Sequence, residues 1–180
     1  VACVKTLVAA GKSAATACEG ANHAADLARE ALLAAETAAA DASADAVTSS
    51  ANEARYHANT AVKHSRAATA AATRAGDAAH RLAEMAAPSA PVLDEDEGLR
   101  GDVLARVTDP VAPVNGTERI VRAAENAAAD ALAFAEDAND YAIGAGAVAE
   151  TFLEQEVEEE VRANAQRRLE ESPAHWHKHG

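Results

Sequence analysis

The chain has 180 residues, rich in Ala, with 3% aromatic and 25% charged side chains and a formal charge of −13. Sixteen basic residues against twenty-nine acidic ones disfavour nucleic acid and anionic membrane surfaces as partners, because either would repel such a chain. No run of eighteen apolar residues occurs, so the sequence predicts no membrane insertion. The chain begins at Val1, which is compatible with a processed product, a Met-trimmed chain or a fragment.

Ala has the best intrinsic helix propensity, so an all-α fold is expected before any pattern is counted. The pattern then specifies it. Ala14, Ala17, Ala21, Ala24, Ala28, Ala31, Ala35, Ala38 and Ala42 recur at alternating spacings of three and four, which places them on one face of a helix. Cys3, Leu7 and Ala10 extend the register backwards. Helix A is therefore expected over about residues 2 to 41, with Gly11 and Gly20 as tolerated interior glycines at about 1 kcal/mol each. Each seam residue offers only a methyl group, contributing about 1 kcal/mol or less on burial. A partner helix can then approach to about 8 Å, the near end of the usual range.

A second seam runs through Val47, Ala51, Ala54, Ala58, Ala61, Ser65, Ala68, Ala72, Ala75, Ala79, Leu82 and Ala86. Ala42 and Ala51 stand nine residues apart where seven would keep register, so the two seams are out of phase. The cluster of Asp, Ser and Thr from Asp41 to Ser50 favours caps and turns, and Ser50 with Glu53 matches a capping box. The expected architecture is an antiparallel helical hairpin over residues 1–87. One unbroken helix of the same length is the competing reading.

Pro88 and Pro91 stop the helix that carries the second seam, and residues 88–116 read as an acidic, Pro-bounded linker containing Asp94-Glu95-Asp96-Glu97. Thr117 is the expected N-cap of a third long helix over residues 117–172. Its seam is Ile120, Ala124, Ala127, Ala131, Phe134, Ala138, Tyr141, Ala145, Val148 and Phe152, and Gly144 with Gly146 is a possible split. Beyond Phe152 the apolar pattern changes to Leu153, Val157, Val161, Ala165 and Leu169. The surrounding surface is first Glu-rich and then Arg-rich, as in a solvated, charge-laced helix. Residues 173–180 form a His-rich tail.

Candidate chemistry is sparse. His175, His177 and His179 around Trp176 would suit a Zn, Ni or Cu ion if extended, but a short terminal run lacks the groups that orient metal ligands. Glu19 with His23, Glu53 with His57, Asp77 with His80, and His57 with His64 stand at helical spacings. The Glu-x-x-His motif of ferritin-like di-iron bundles is not reproduced, and exposed surface pairs are the expected outcome. Cys3 and Cys18 lie about 22 Å apart along one helix at 1.5 Å per residue, too far for an internal disulfide. Two unpaired thiols slightly favour a reducing, cytoplasmic compartment. No phosphate loop, nucleophile elbow, CxxC or HExxH occurs. The sequence thus assigns no catalytic, cofactor-binding or metal residue, and no cofactor.

The segments Ala24-Ala25-Asp26-Leu27-Ala28-Arg29-Glu30-Ala31 and Ala67-Ala68-Thr69-Ala70-Ala71-Ala72-Thr73-Arg74-Ala75 resemble the Ala-rich coiled-coil regions of large actinobacterial proteins. Among these are the ALF-repeat proteins and the stalk subunit of umbrella-type toxin particles. The resemblance covers about residues 2 to 87, implies a stalk or spacer role, and carries over no site residue. A place in such a particle would make the chain secreted.

The leading expectation is a structural protein, a rigid helical spacer or assembly component that binds other proteins or further copies of itself. Two alternatives come from other classes: a four-helix metal-binding bundle with oxidoreductase or storage activity, and a regulatory module acting through residues 92–116.

Overall fold

The computed structural model describes residues 2–86 and 111–171. They form α1 (Ala2–Ala40), α2 (Ala44–Ala86) and α3 (Val111–Glu171), with no strand among the described residues. The fold is all-α, a long helical hairpin plus a third long helix.

The turn between α1 and α2 is tighter than the Ser- and Asp-rich stretch suggests. Ala42 adopts φ 54°, the Ser43 amide donates to the Ala38 carbonyl at 3.0 Å, and the Ala42 amide donates to Ala39 at 3.2 Å. These two bonds are those of a Schellman C-cap, with Ala42 in the left-handed position that glycine usually fills. Ser43 then takes the N-cap position of α2, its carbonyl accepting from the Val47 amide at 2.9 Å. The expected capping box is therefore corrected, since Ser50 and Glu53 both lie inside α2. Ala42 is also removed from the first seam, being an exposed turn residue.

The described residues divide into two compact units, each holding part of all three helices. The first comprises residues 2–25, 59–86 and 111–137. Its interior gathers Leu7, Ala10, Ala14, Ala71, Ala75, Ala78 and Ala124, then Ala17, Ala21, Ala68 and Ala131. As α1 numbers rise from 7 to 21, α2 numbers fall from 78 to 68 and α3 numbers rise from 124 to 131. Within this unit α2 thus runs antiparallel to α1, and α3 parallel to it. Ile120, Val121, Leu82 and Phe134 close the edges that a wall of methyls leaves open.

The second seam is corrected here. From Ala68 the buried positions are Ala71, Ala75 and Ala78 rather than Ala72 and Ala79, which are only partly buried. The run Ala70-Ala71-Ala72 offers a methyl at each of three successive positions, so the sequence does not fix which one faces inward. A straight helix of 3.6 residues per turn drifts against a strict seven-residue repeat, and the drift is taken up at this point.

The second unit comprises residues 26–58 and 138–171. Ala28, Ala31, Ala35, Ala51, Ala54, Ala138 and Ala145 are buried in it. Ala38, Val47 and Phe152 form a cluster beside the turn. Val47 is fully buried and Phe152 is the large side chain that seals this end. From Leu153 to Glu170 every residue of α3 is exposed.

The third helix also differs from expectation at its start and middle. It begins at Val111, before the expected N-cap Thr117, and passes through Gly144 and Gly146 without interruption. Pro113 stands in the first turn, where the backbone amide has no helical partner and proline costs little. Most of the expected linker, residues 88–110, lies outside the described residues, as does the tail from Ser172 onward.

Candidate functional site

Hydroxyl residues within the helices turn back on their own backbone. Thr37 donates to the Leu33 carbonyl at 2.9 Å, Thr69 to Ser65 at 3.0 Å and Thr73 to Thr69 at 3.1 Å. Ser65 is buried at a seam position and donates to the Val62 carbonyl at 3.2 Å. Bonds of this kind satisfy the hydroxyl without a partner from another helix, so Ser65 is absorbed by the packing and held away from chemistry.

The acid and imidazole residues singled out by spacing stay apart. Glu19, His23, Glu53 and Asp77 are exposed. His80 faces Glu84, Nε2 to Oε1 at 3.3 Å, on an exposed surface. His57 is half-buried beside the Tyr56 ring, with centroids 5.3 Å apart and planes at 75°. Among the described residues no group of three or more His, Cys, Asp or Glu stands close enough to hold a metal ion. The His175, His177 and His179 tail and the 92–110 portion of the proposed regulatory loop lie outside the described residues.

His64 has a different use. A Cβ built on Gly20 would fall 2.6 Å from His64 Nδ1 and 2.7 Å from Cε1, so the imidazole from α2 fills the space that Gly20 leaves on α1. Gly11 does the same for Ile120 of α3, whose Cγ2 would lie 2.9 Å from an added Cβ. In the second unit a Cβ built on Gly144 would lie 3.4 Å from Leu32 Cδ1, an ordinary van der Waals contact, and one built on Gly146 would lie 3.3 Å from the Arg55 guanidinium, a tight one. The sequence reads Gly11 and Gly20 as tolerated interior glycines and Gly144 with Gly146 as a split, whereas in the fold Gly11, Gly20 and Gly146 leave room for larger side chains. The signal was their position beside the seam, but nothing in the sequence names the side chain that enters each one.

Cys3 and Cys18 are free and half-buried. Cys18 packs against the cluster of Ala17, Ala21, Ala68 and Ala131. Burial pushes its thiol above the usual value, and the carboxylates of Asp130 and Glu19 add to the effect. A thiol held in its protonated form is a poor nucleophile and a poor metal ligand.

Two surfaces stand out among the described residues. One is an open groove of the second unit between α2 and α3, floored by Ala51, Ala142 and Ala147 and edged by Asn52, Arg55 and Glu150. It brings no set of titratable groups together. The other is the terminal part of α3, where Val157 and Val161 are each 61% exposed and Leu169 is 77% exposed. No helix among the described residues is long and apolar enough to cross a membrane.

Comparison with protein-family models, curated proteins and solved structures finds no match to this chain.

Proposed function

We propose that this chain is a structural protein, a rigid helical spacer or assembly component whose work is done by binding other protein chains. One observation carries the reading. Among the described residues the interior is lined almost entirely with alanine methyls at heptad spacing, while the His, Cys, Asp and Glu side chains gather into no group of three or more that could hold a metal ion. A seam of methyls serves close helix packing over a long distance and offers a substrate neither a cavity nor a convergent polar set. The compositional resemblance to Ala-rich stalk regions supports the same conclusion.

The test is the native particle. Purified from its source at physiological salt, the protein is expected to elute as an assembly larger than 18.4 kDa, containing further copies or defined partner chains. An isolated monomer at every stage of purification would overturn the assembly reading.

A further inference from the structure

The terminal part of α3 carries a pattern that neither the bundle nor the hairpin uses. Leu153, Val157, Val161, Ala165 and Leu169 recur every fourth residue, and all are exposed. They do not continue the core. Val161 follows Phe152 by nine residues, two and a half turns at about 3.6 residues per turn, which puts it on the opposite side of the helix from the buried Phe152.

The charges around this row are sorted. From Leu153 to Val161 there are five glutamates and no base, and from Arg162 to Glu170 three arginines and one glutamate. The arrangement is symmetric about Val161. Positions equally distant from it pair Leu153 with Leu169, Val157 with Ala165, Glu154 with Arg168 and Glu160 with Arg162. The remaining pairs join Glu or Arg to a neutral residue, so no two equidistant positions carry like charges.

We infer that residues 153–169 pair head-to-tail with the same segment of a second copy of this chain, about a twofold axis through Val161. A twofold contact presents the same patch on both copies, so residue i meets j while j meets i. The symmetry of the sequence about one residue meets that condition. A row of i, i+4 side chains is also a ridge of the kind that packs into its counterpart in the commonest helix-crossing class, at about 50°. The parallel orientation is disfavoured because it sets the glutamate blocks side by side, and like charges across an interface select against the wrong register. Arg162 already holds Glu158 of its own helix at 3.3 Å, but an exposed pair of this type contributes only about 0–1 kcal/mol and exchanges readily for the intermolecular one. The pairing supplies a partner for the assembly reading above, and rests on that reading only for its purpose.

The patch is smaller than the ~20–30 residues a side of a standard interface. Dimerisation is therefore weak and concentration-dependent. Sedimentation equilibrium of the full chain from about 1 µM to about 1 mM is expected to follow the mass from 18.4 kDa towards twice that value. The paired change Arg162→Glu with Arg168→Glu should weaken association at least ~10-fold, about 1.4 kcal/mol, as should Glu154→Arg with Glu160→Arg. An equimolar mixture of the two variants should recover it, because each variant complements the other and repels itself. These positions are exposed, so helicity is expected to be unchanged. In a background lacking Cys3 and Cys18, Val161→Cys should cross-link to itself with a short bis-thiol reagent far faster than Leu153→Cys does. A monomer throughout the range, failure of the mixture to recover association, or faster self-linking at position 153 would each overturn the pairing. A monomer that still assembles with foreign chains in the native particle would overturn self-pairing while leaving the structural role intact.

Discussion

At the scale of single residues, small size has a function that depends on the neighbour. Gly20 and Gly76 both occupy helix interiors, where Ala is favoured over Gly by about 1 kcal/mol. An added Cβ at Gly76 meets nothing within 4 Å, whereas at Gly20 it meets the His64 ring at 2.6 Å. Overpacking of a fitted site costs about 1–3 kcal/mol, enough to cancel or outweigh the propensity gain. Gly76→Ala is expected to raise the thermal midpoint and Gly20→Ala to lower it, with His64→Ala restoring much of the loss in the double variant. Thermal melts followed by circular dichroism decide this, and equal stabilisation by both substitutions would refute the socket. Cys18 makes a second residue-scale case. Its thiol is raised above the usual 9.0 by burial and by the Asp130 and Glu19 carboxylates. The folded state thus holds this proton more tightly than the unfolded state. Cys18's contribution to stability is complete below pH 9.0 and is lost as pH rises through the folded value. Iodoacetamide labelling resolved by peptide mass should show Cys18 reacting with a midpoint above 9.0 in native protein, falling back to the usual value in urea.

At the scale of elements, the first helix was legible in the sequence, since the expected seam positions from Leu7 to Ala38 are all buried. The second was legible only as far as Ala68. Beyond it, successive alanines offer equivalent methyls, and tertiary contact with α1 and α3 decides which turn inward. The turn was placed correctly within the Asp41 to Ser50 stretch but assigned the wrong cap. Ser and Asp signal a helix start wherever they occur, and an alanine in the left-handed region gives no sequence signal. That residue yields a prediction. A non-glycine residue in this conformation costs about 1 kcal/mol or more, so Ala42→Gly should stabilise the hairpin by about 0.5–1 kcal/mol, the cap gain offset in part by greater freedom of the unfolded chain. Chemical denaturation should show a higher midpoint with an unchanged slope. A lower midpoint would mean that the Schellman geometry is not what holds the turn. The Glu- and Arg-rich end of α3 was legible as an exposed helix, and its symmetry about Val161 gains meaning only once both sides of the row are known to be uncovered.

At the scale of the whole molecule, the stabilising contacts are many and individually small, so the net charge of −13 weighs heavily. A methyl contributes about 1 kcal/mol or less on burial. Long helices with a thin core therefore have little stability in reserve against the mutual repulsion of their carboxylates. Among the described residues the close acid-base contacts of His80 with Glu84 and of Arg162 with Glu158 are exposed and each local to one helix, and they contribute little when screened. Repulsion between like charges falls as the screening length shortens from about 30 Å at 0.01 M salt to about 8 Å at 0.15 M. The loss of attraction in the few surface pairs is smaller than this relief, because acidic residues outnumber basic ones by twenty-nine to sixteen. The thermal midpoint is therefore expected to rise by several degrees between these two salt concentrations when measured at low micromolar protein, where self-pairing is negligible. A midpoint that falls over the same interval would show that attractive surface pairs, rather than burial of the methyl seams against a net repulsion, hold the helices together.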